Sequence, residues 1–182
     1  MPRSRSPLWQ RLDTREALLI AFFATFVVLA KAALRWHLHV PGHSMFTTAL
    51  FLVLARACVR RTGAATLVGV LSGVACALLG MGKGGPLIAL KLALPGVLVD
   101  LGATWRPDHF PETWRGALIG AAAGASHFVP VALIEALAGF PPDLVLLHAA
   151  VSAGTKAGFG ALGGLAGAII ASRLRHHGLL DG

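Results

Sequence analysis

The sequence predicts an all-α integral membrane protein, a compact bundle of six transmembrane helices with both termini in the cytoplasm. Hydrophobic residues make up 55% of the 182 residues and charged residues 13%, about half of the roughly 25% typical of soluble domains. Six apolar segments alternate with turn-forming residues, and the arginines gather at every second turn. The mean hydropathy is +0.71. We therefore expect residues 1–182 to form a single membrane domain.

The apolar segments set the predicted spans, since a membrane-crossing helix needs about 20 mostly apolar residues. The basic tail 1–16 leads into an apolar run too long for a signal-peptide core and without a small-residue cleavage site, which predicts a retained first span. The second segment is short, and the sixth is long enough to tilt or to begin outside the bilayer. The predicted spans are 17–36, 44–59, 64–80, 86–102, 114–138 and 144–172.

The arginines orient these spans. Cytoplasmic loops of membrane proteins carry an excess of basic residues, and six spans place all arginines but Arg35 on one side. This explains the net charge of +8 without nucleic acid, since no basic run carries interleaved aromatic residues. We expect a multi-pass protein of the cell (inner) membrane. The arginines on the predicted cytoplasmic side are Arg3, Arg5, Arg11, Arg15, Arg56, Arg60, Arg61, Arg106, Arg115, Arg173 and Arg175.

The four lysines behave differently, because none lies in a predicted cytoplasmic loop. They are Lys31, Lys83, Lys91 and Lys156. A lysine at the bilayer centre costs about 2.5–3.5 kcal/mol on insertion scales, and an ionisable residue there indicates a functional site. Lys83 and Lys91 belong to the stretch GMGKGGPLIALK, which lacks the order of a phosphate-binding P-loop. Two interpretations of this stretch stay open: it is a turn that starts span four, or it forms the rim of a pocket.

A polar stripe on one face of span six gives the second part of a candidate site. His148, Ser152, Thr155 and Lys156 follow helical spacing, and in lipid such a stripe must face protein or a cavity. The alternatives are a ligand or ion site and buried hydrogen bonds between helices.

Span five adds His127 near mid-membrane and Glu135 toward its outer end. Glu135 is expected either to pair with a lysine or to contact a ligand. The predicted substrate-binding residues are Lys83, Lys91, His127, His148, Ser152 and Lys156.

The first outer loop, RWHLHVPGHS, allows three interpretations. Trp36 and His43 can form a gate over a pocket, His37, His39 and His43 can bind a metal, or the loop is a plain connector. We expect no resident metal and no cofactor. The adjacent Ser126 and His127 lack the strand-to-helix elbow of a serine hydrolase, and the chain has no nucleotide site, so we expect no catalytic residues.

Glycines at four-residue spacing indicate close helix packing. They are Gly69 and Gly73; Gly116, Gly120 and Gly124; Gly154 and Gly158; and Gly160 and Gly164. In span one the small-residue pattern Ala17-x-x-x-Ala21, with Ala24 one turn further, leaves a shallow groove for a partner helix.

With this pattern and RRTGAA at 60–65, the chain resembles the substrate-binding S components of energy-coupling-factor (ECF) vitamin transporters. RRTGAA is similar to the turn after span two in their thiamine-precursor branch. The resemblance implies an outward-opening pocket and docking of Ala17, Ala21 and Ala24 on a coupling membrane subunit that works with two ATPase subunits. The residues alone leave two other functions open: a proton-coupled permease or channel with a relay of Lys156, His127 and Glu135, and a structural membrane adaptor.

Overall fold

The computed structural model describes residues 13–37, 42–59, 61–81, 87–105 and 112–177. All regular secondary structure in these ranges is α-helical, which confirms the predicted all-α class. The helices are α1 (Thr14–His37), α2 (His43–Cys58), α3 (Ala64–Leu78), α4 (Leu87–Thr104), α5 (Thr113–Ala125), α6 (Phe128–Leu137) and α7 (Pro142–His176).

Four helical stretches among the described residues are long and apolar enough to cross a membrane. They are α1, α4, α5 together with α6, and α7. Helices α2 and α3 are apolar but have only 16 and 15 residues. The chain is therefore an all-helical protein with four candidate spans, while the six-span bundle and the cytoplasmic termini stay predictions.

The predicted fifth span is interrupted at Ser126 and His127, between α5 and α6. The backbone N–H of His127 donates to Gly124 O at 3.2 Å, and that of Val129 donates to Ser126 O at 3.3 Å. Both bonds reach back three residues instead of four. Pro130 has no N–H to donate to Ser126 O, so the regular ladder is broken at this turn.

Helices α5 and α7 run antiparallel with their backbones in contact. A methyl group on Gly120 would overlap the carbonyl oxygen of Gly160, and one on Gly164 would overlap that of Gly116. Further along, a Cβ on Gly124 would collide with the backbone carbonyl of Lys156. Glycine is required at these positions because any side chain would hold the two helices apart.

Helix α2 runs parallel to α7 and lies at the centre of the bundle, where it also contacts α1, α3, α4 and α5. Gly42 starts α2 with φ 98°, a left-handed conformation that favours glycine. A Cβ there would lie 3.0 Å from Phe159 Cδ2. A Cβ on Gly167 would lie 2.9 Å from Leu50 O. The side chains of Leu52 and Val53 are fully buried in this centre.

Helices α3 and α4 form a second antiparallel pair with close backbones. A Cβ on Gly73 would lie 2.7 Å from the Cα of Ala89, and one on Gly96 would lie 2.5 Å from Ala65 O. The predicted glycine packing is therefore observed in α3, α5 and the second half of α7. It is not observed at Gly154, where a Cβ would meet open space.

In α1, one of the three predicted docking residues is buried in the chain's own core. The buried stripe of this helix contains Ile20, Phe23 and Val27, and Ala24 belongs to this stripe with 7% exposure. Ala24 therefore packs into the chain's own core and is not available to a partner helix. Ala17 and Ala21 are exposed, and their docking to a partner helix stays a prediction.

A buried ionic network fastens α2, α3 and α4 together. Asp100 of α4 accepts hydrogen bonds from Thr66 N at 2.7 Å, Thr66 Oγ1 at 2.6 Å and Ala65 N at 3.3 Å. These amides belong to the first turn of α3, where helical N–H groups have no partner within the helix. Arg56 Nε lies 3.4 Å from Asp100 Oδ1, and both side chains are buried. Arg56 therefore lies inside α2, not in a cytoplasmic loop as counted from the sequence.

The contact of Gly160 with α5 can be tested by substitution, and Gly158, two residues away, gives a matched control. Gly160→Ala should destabilise the protein by about 1–3 kcal/mol, because the new methyl meets a carbonyl oxygen that cannot move aside cheaply. Gly158→Ala should leave stability unchanged or slightly raised, since open space surrounds that position. Unfolding of the purified protein by SDS in mixed micelles measures both. Equal stability of the two variants would contradict the packing described.

Asp100→Asn should destabilise the protein by about 3–5 kcal/mol, because it leaves the buried Arg56 without its counter-charge. The double variant Asp100→Asn with Arg56→Gln should recover part of this loss, and the same unfolding assay measures it. Asp143→Asn, a change at an exposed residue in the first turn of α7, is the control. A single Asp100 variant as stable as the original would show that the network is not stabilising.

Candidate functional site

Three chain segments meet at one turn of α7, residues 155–159. The start of α2 reaches this turn through Gly42, whose Cβ position lies next to Phe159 and 3.7 Å from the Thr155 carbonyl carbon. The end of α5 reaches it through Gly124, which packs on the backbone of Lys156. The break between α5 and α6 follows directly. The start of α2 and the break between α5 and α6 therefore both lie close to this turn of α7.

Lysines from three helices converge near this turn. Lys156 of α7 is within range of Coulomb repulsion from Lys91 of α4 and Lys31 of α1. Lys31 in turn interacts with Lys91 and with the Cys76 thiol of α3. All three lysines are partly buried. The structure thus brings together three of the four lysines that the sequence keeps out of the predicted cytoplasmic loops.

His127, at the break between α5 and α6, is the most buried member of the cluster, with 7% exposure. It interacts electrostatically with Lys31, Lys91 and Lys156. The Ala123 carbonyl is nearby, but Nδ1 makes no hydrogen bond of normal geometry within the described part of the chain. A buried ring nitrogen without a partner is costly and is uncommon in native structures. This atom is available to a polar group that enters the cluster.

Glu135 of α6 is the acidic member of the cluster. Its Oε1 is hydrogen-bonded to Nδ1 of His148 on α7, and its charge attracts Lys91. The Glu135 side chain is 19% exposed and that of His148 is 67% exposed. The pair therefore lies at the edge of the cluster, with Glu135 turned inward and His148 outward. The ion-pair partner of Glu135 among the described residues is thus His148, and its pairing with a lysine stays a prediction.

The remaining predicted residues of α7 lie on the outer side of this cluster. Ser152 is half-buried, and Thr155 is exposed. The Thr155 hydroxyl donates to Val151 O at 3.1 Å and to Ser152 O at 3.0 Å. These are bonds within α7, so they do not hold α7 to another helix.

Several residues predicted from the outer loops cannot be placed in the site. Lys83 and His39 lie outside the described residues, as do the side chains of Trp36 and His37. His43 starts α2 and is partly buried. Within the described ranges, no group of three or more His, Cys, Asp and Glu side chains is arranged to hold a metal ion.

Two residues with marked interactions in the structure were not among those selected from the sequence. Lys31 was one of the four unusual lysines, but its position near the end of α1 did not show that it faces Lys91 and Lys156. Asp100 is a lone acid in an apolar span, and such a residue needs a buried partner. The sequence therefore indicates that Asp100 needs a buried partner. Only the fold shows that the amides of α3 are that partner.

Comparisons with protein-family models, with curated proteins and with solved structures found no match to this chain.

The cluster contains more basic than acidic side chains, which distinguishes it from the Asp100 network. Of the three lysines, only Lys91 is affected by the Glu135 carboxylate, which is also hydrogen-bonded to His148. Among the described residues, no carboxylate acts on Lys31 or Lys156. Like charges in a poorly solvated place repel one another strongly. Chemically, the arrangement can attract an anion and can offer it a hydrogen-bonding position at His127.

Lys156→Met tests whether this repulsion is present. The substitution keeps the length and the apolar stem, and it should leave stability unchanged or raise it by up to about 3 kcal/mol, the insertion cost of a central lysine. Arg173→Met, at an exposed residue near the end of α7, should change stability little. Unfolding in mixed micelles gives both values. Destabilisation by Lys156→Met that Glu135→Gln reverses would show an ion pair instead.

Proposed function

We propose that this chain is the membrane-embedded substrate-binding subunit of an ECF-type, ATP-driven importer for a small vitamin-like molecule. The observation that supports the proposal is the cluster of Lys31, Lys91 and Lys156 beside the buried His127, whose Nδ1 makes no hydrogen bond of normal geometry among the described residues. A membrane protein that only needed to be stable would pair such charges or omit them. The cost of keeping them is explained if a ligand neutralises them.

The position of the cluster agrees with capture of a ligand in the outer half of the predicted bundle. Helix α7 contacts α6, and its residues before Lys156 include the exposed Leu144, Leu147 and Val151. The break at His127 and the start of α2 open the backbone near the same level. In this proposal Lys91, His127 and Lys156 contact the molecule, while Lys83 and the gate of Trp36 and His43 lie above it.

The partners in this proposal are a coupling membrane subunit and two ATPase subunits, which would supply the ATP-binding sites, since the sequence contains no P-loop motif. Ala17 and Ala21 form an exposed small-residue patch on α1, flanked by Leu18. Such a patch allows the backbone of a partner helix to come close. In the bilayer this face docks the coupling subunit.

A stand-alone proton-coupled permease is the second candidate. It is favoured by Glu135, a carboxylate placed between Lys91 and the exposed His148. Glu135 and His148, together with His127 and Lys156, would form a series of proton-binding groups from the cluster to the exposed side of α7.

Purification from the native cell at natural abundance tests the proposal. The chain should copurify with two ATPases and a coupling subunit, and native mass spectrometry should show a retained small molecule. Ala21→Leu should lower the yield of the complex about tenfold, because overpacking at a helix contact costs about 1–3 kcal/mol. Retention of the small molecule should persist in this variant.

The control is Ala122→Leu, which enlarges an exposed alanine on α5 and should leave the complex intact. An unchanged complex in Ala21→Leu would show that this face meets lipid. Absence of ATPases together with proton-driven uptake by the purified chain in liposomes would contradict the importer and support the permease.

A further inference from the structure

We propose that one end of the bundle binds the headgroup of an anionic phospholipid through Trp105, Trp114, Arg173 and Arg175, the headgroup patch. These residues come from the end of α4, the start of α5 and the last turn of α7. In this arrangement the arginines contact the lipid phosphate, and the tryptophans lie beside its glycerol and upper acyl chains. Lipid binding at this patch is independent of the transport function proposed above.

Close contacts between the helices bring these three segments to the same end of the bundle. Helices α5 and α7 are antiparallel, and a Cβ on Gly116 would lie 2.5 Å from the Cβ of Ala168. A Cβ on Gly102 would lie 2.6 Å from Ile119 Cγ1, which sets the end of α4 beside the first two turns of α5. The start of α5 therefore lies next to the ends of both α4 and α7.

Two tryptophans at this end are exposed at similar levels. Trp105 directly follows α4 and is 87% exposed, and Trp114 in the first turn of α5 is 61% exposed. Measured outward from the contact of Gly102 with Ile119, Trp105 lies about 4.5 Å and Trp114 about 7.5 Å along the helix axes at 1.5 Å per residue. Tryptophan is enriched where a membrane meets water, because its ring is apolar and its N–H is polar. The two residues therefore indicate the level of the bilayer interface.

The arginines of α7 lie further outward than Trp114. From the contact of Gly116 with Ala168, Trp114 is about 3 Å outward, Arg173 about 7.5 Å and Arg175 about 10.5 Å at 1.5 Å per residue. The hydrocarbon core of a bilayer is about 30 Å thick and the whole bilayer about 40–45 Å, so each headgroup layer is about 5–7.5 Å deep. The arginines thus follow the tryptophan level by about the depth of one headgroup layer, which is where lipid phosphates lie.

The side chains of this patch suit a phosphate group. The last turn of α7 contains Arg173, Arg175 and His176 and no acidic residue. On the neighbouring α5, Arg115 follows the N-cap residue Glu112, so the arginines at this place outnumber the acid. A guanidinium group can donate two parallel hydrogen bonds to a phosphate. Clustered basic residues next to a membrane-spanning helix attract anionic lipids.

The opposite end of α7 has a different character. Its first turn carries the acidic Asp143, and Phe140 and Leu144 beside it are exposed. A carboxylate repels an anionic headgroup, so only the end of α7 with the arginines favours one. The two ends of this helix therefore distinguish between the two surfaces of a bilayer.

The test uses the full chain in detergent micelles, titrated with phosphatidylglycerol or with phosphatidylcholine, and native mass spectrometry counts the lipid molecules that stay bound. Phosphatidylglycerol should bind more tightly than the zwitterionic phosphatidylcholine. Arg173→Gln combined with Arg175→Gln should weaken its apparent affinity about 25-fold, at about fivefold per basic residue near the lipid. Trp114→Leu should also weaken it, and added salt should weaken it in the original chain but not in the double variant.

Arg15→Gln is the matched control. It removes an exposed arginine at the start of α1, the helix whose Glu16 lies 3.5 Å from Arg61 before α3. This places Arg15 at the same end of the bundle, but α1 packs on α2 and α3 and not beside the patch. Binding of phosphatidylglycerol should therefore be unchanged in this variant.

An equal loss of affinity in Arg15→Gln would show a general effect of surface charge and would overturn the patch. Undiminished binding in the double arginine variant, or equal affinity for the two lipids, would overturn it as well. Glycerol phosphate, the soluble part of the headgroup, should not compete at concentrations equal to the lipid. Effective competition would assign the arginines to a soluble phosphate compound and would contradict a lipid site.

Discussion

The contact between α7 and its two neighbours is the constraint on which the rest of the structure depends. Gly160 and Gly164 meet the backbone of α5, and Gly163 meets the carbonyl of Phe46 on α2. Three helices can approach this closely only where side chains are absent. Because the contacts fix the register of α7 against both partners, they also fix the height of Lys156 relative to the start of α2 and the break at His127.

The protein handles buried charge in two different ways. Around Asp100 every strong interaction is local and complementary: two α3 amides, the Thr66 hydroxyl and Arg56 surround one carboxylate. Around Lys156 the neighbours are mainly of the same sign. The first arrangement fastens helices together, since a buried carboxylate is stable only when its oxygens are satisfied. The second arrangement brings like charges together and offers no such fastening.

The Asp100 network and the lysine cluster lie at different positions along α4. Helix α4 carries Asp100 near its end and Lys91 near its start, about 13 Å apart at 1.5 Å per residue. The contacts of Gly69 with Leu92 and of Gly96 with Ala65 lie between them. Rigid backbone packing at this level therefore separates the structural network from the lysine cluster, so that changes in one are not transmitted by direct contact to the other.

The sequence by itself determined the helical class, the apolar segments and the unusual placement of the lysines, because hydrophobic length and local composition control these features. It also indicated Lys91, His127 and Lys156, since charge in an apolar run is visible without a fold. It did not determine that Ala24 is buried, that Arg56 belongs to a network, or that Lys31 joins the cluster. Those facts depend on which face of each helix meets another helix, and the tertiary structure decided them through backbone contacts between residues far apart in the chain.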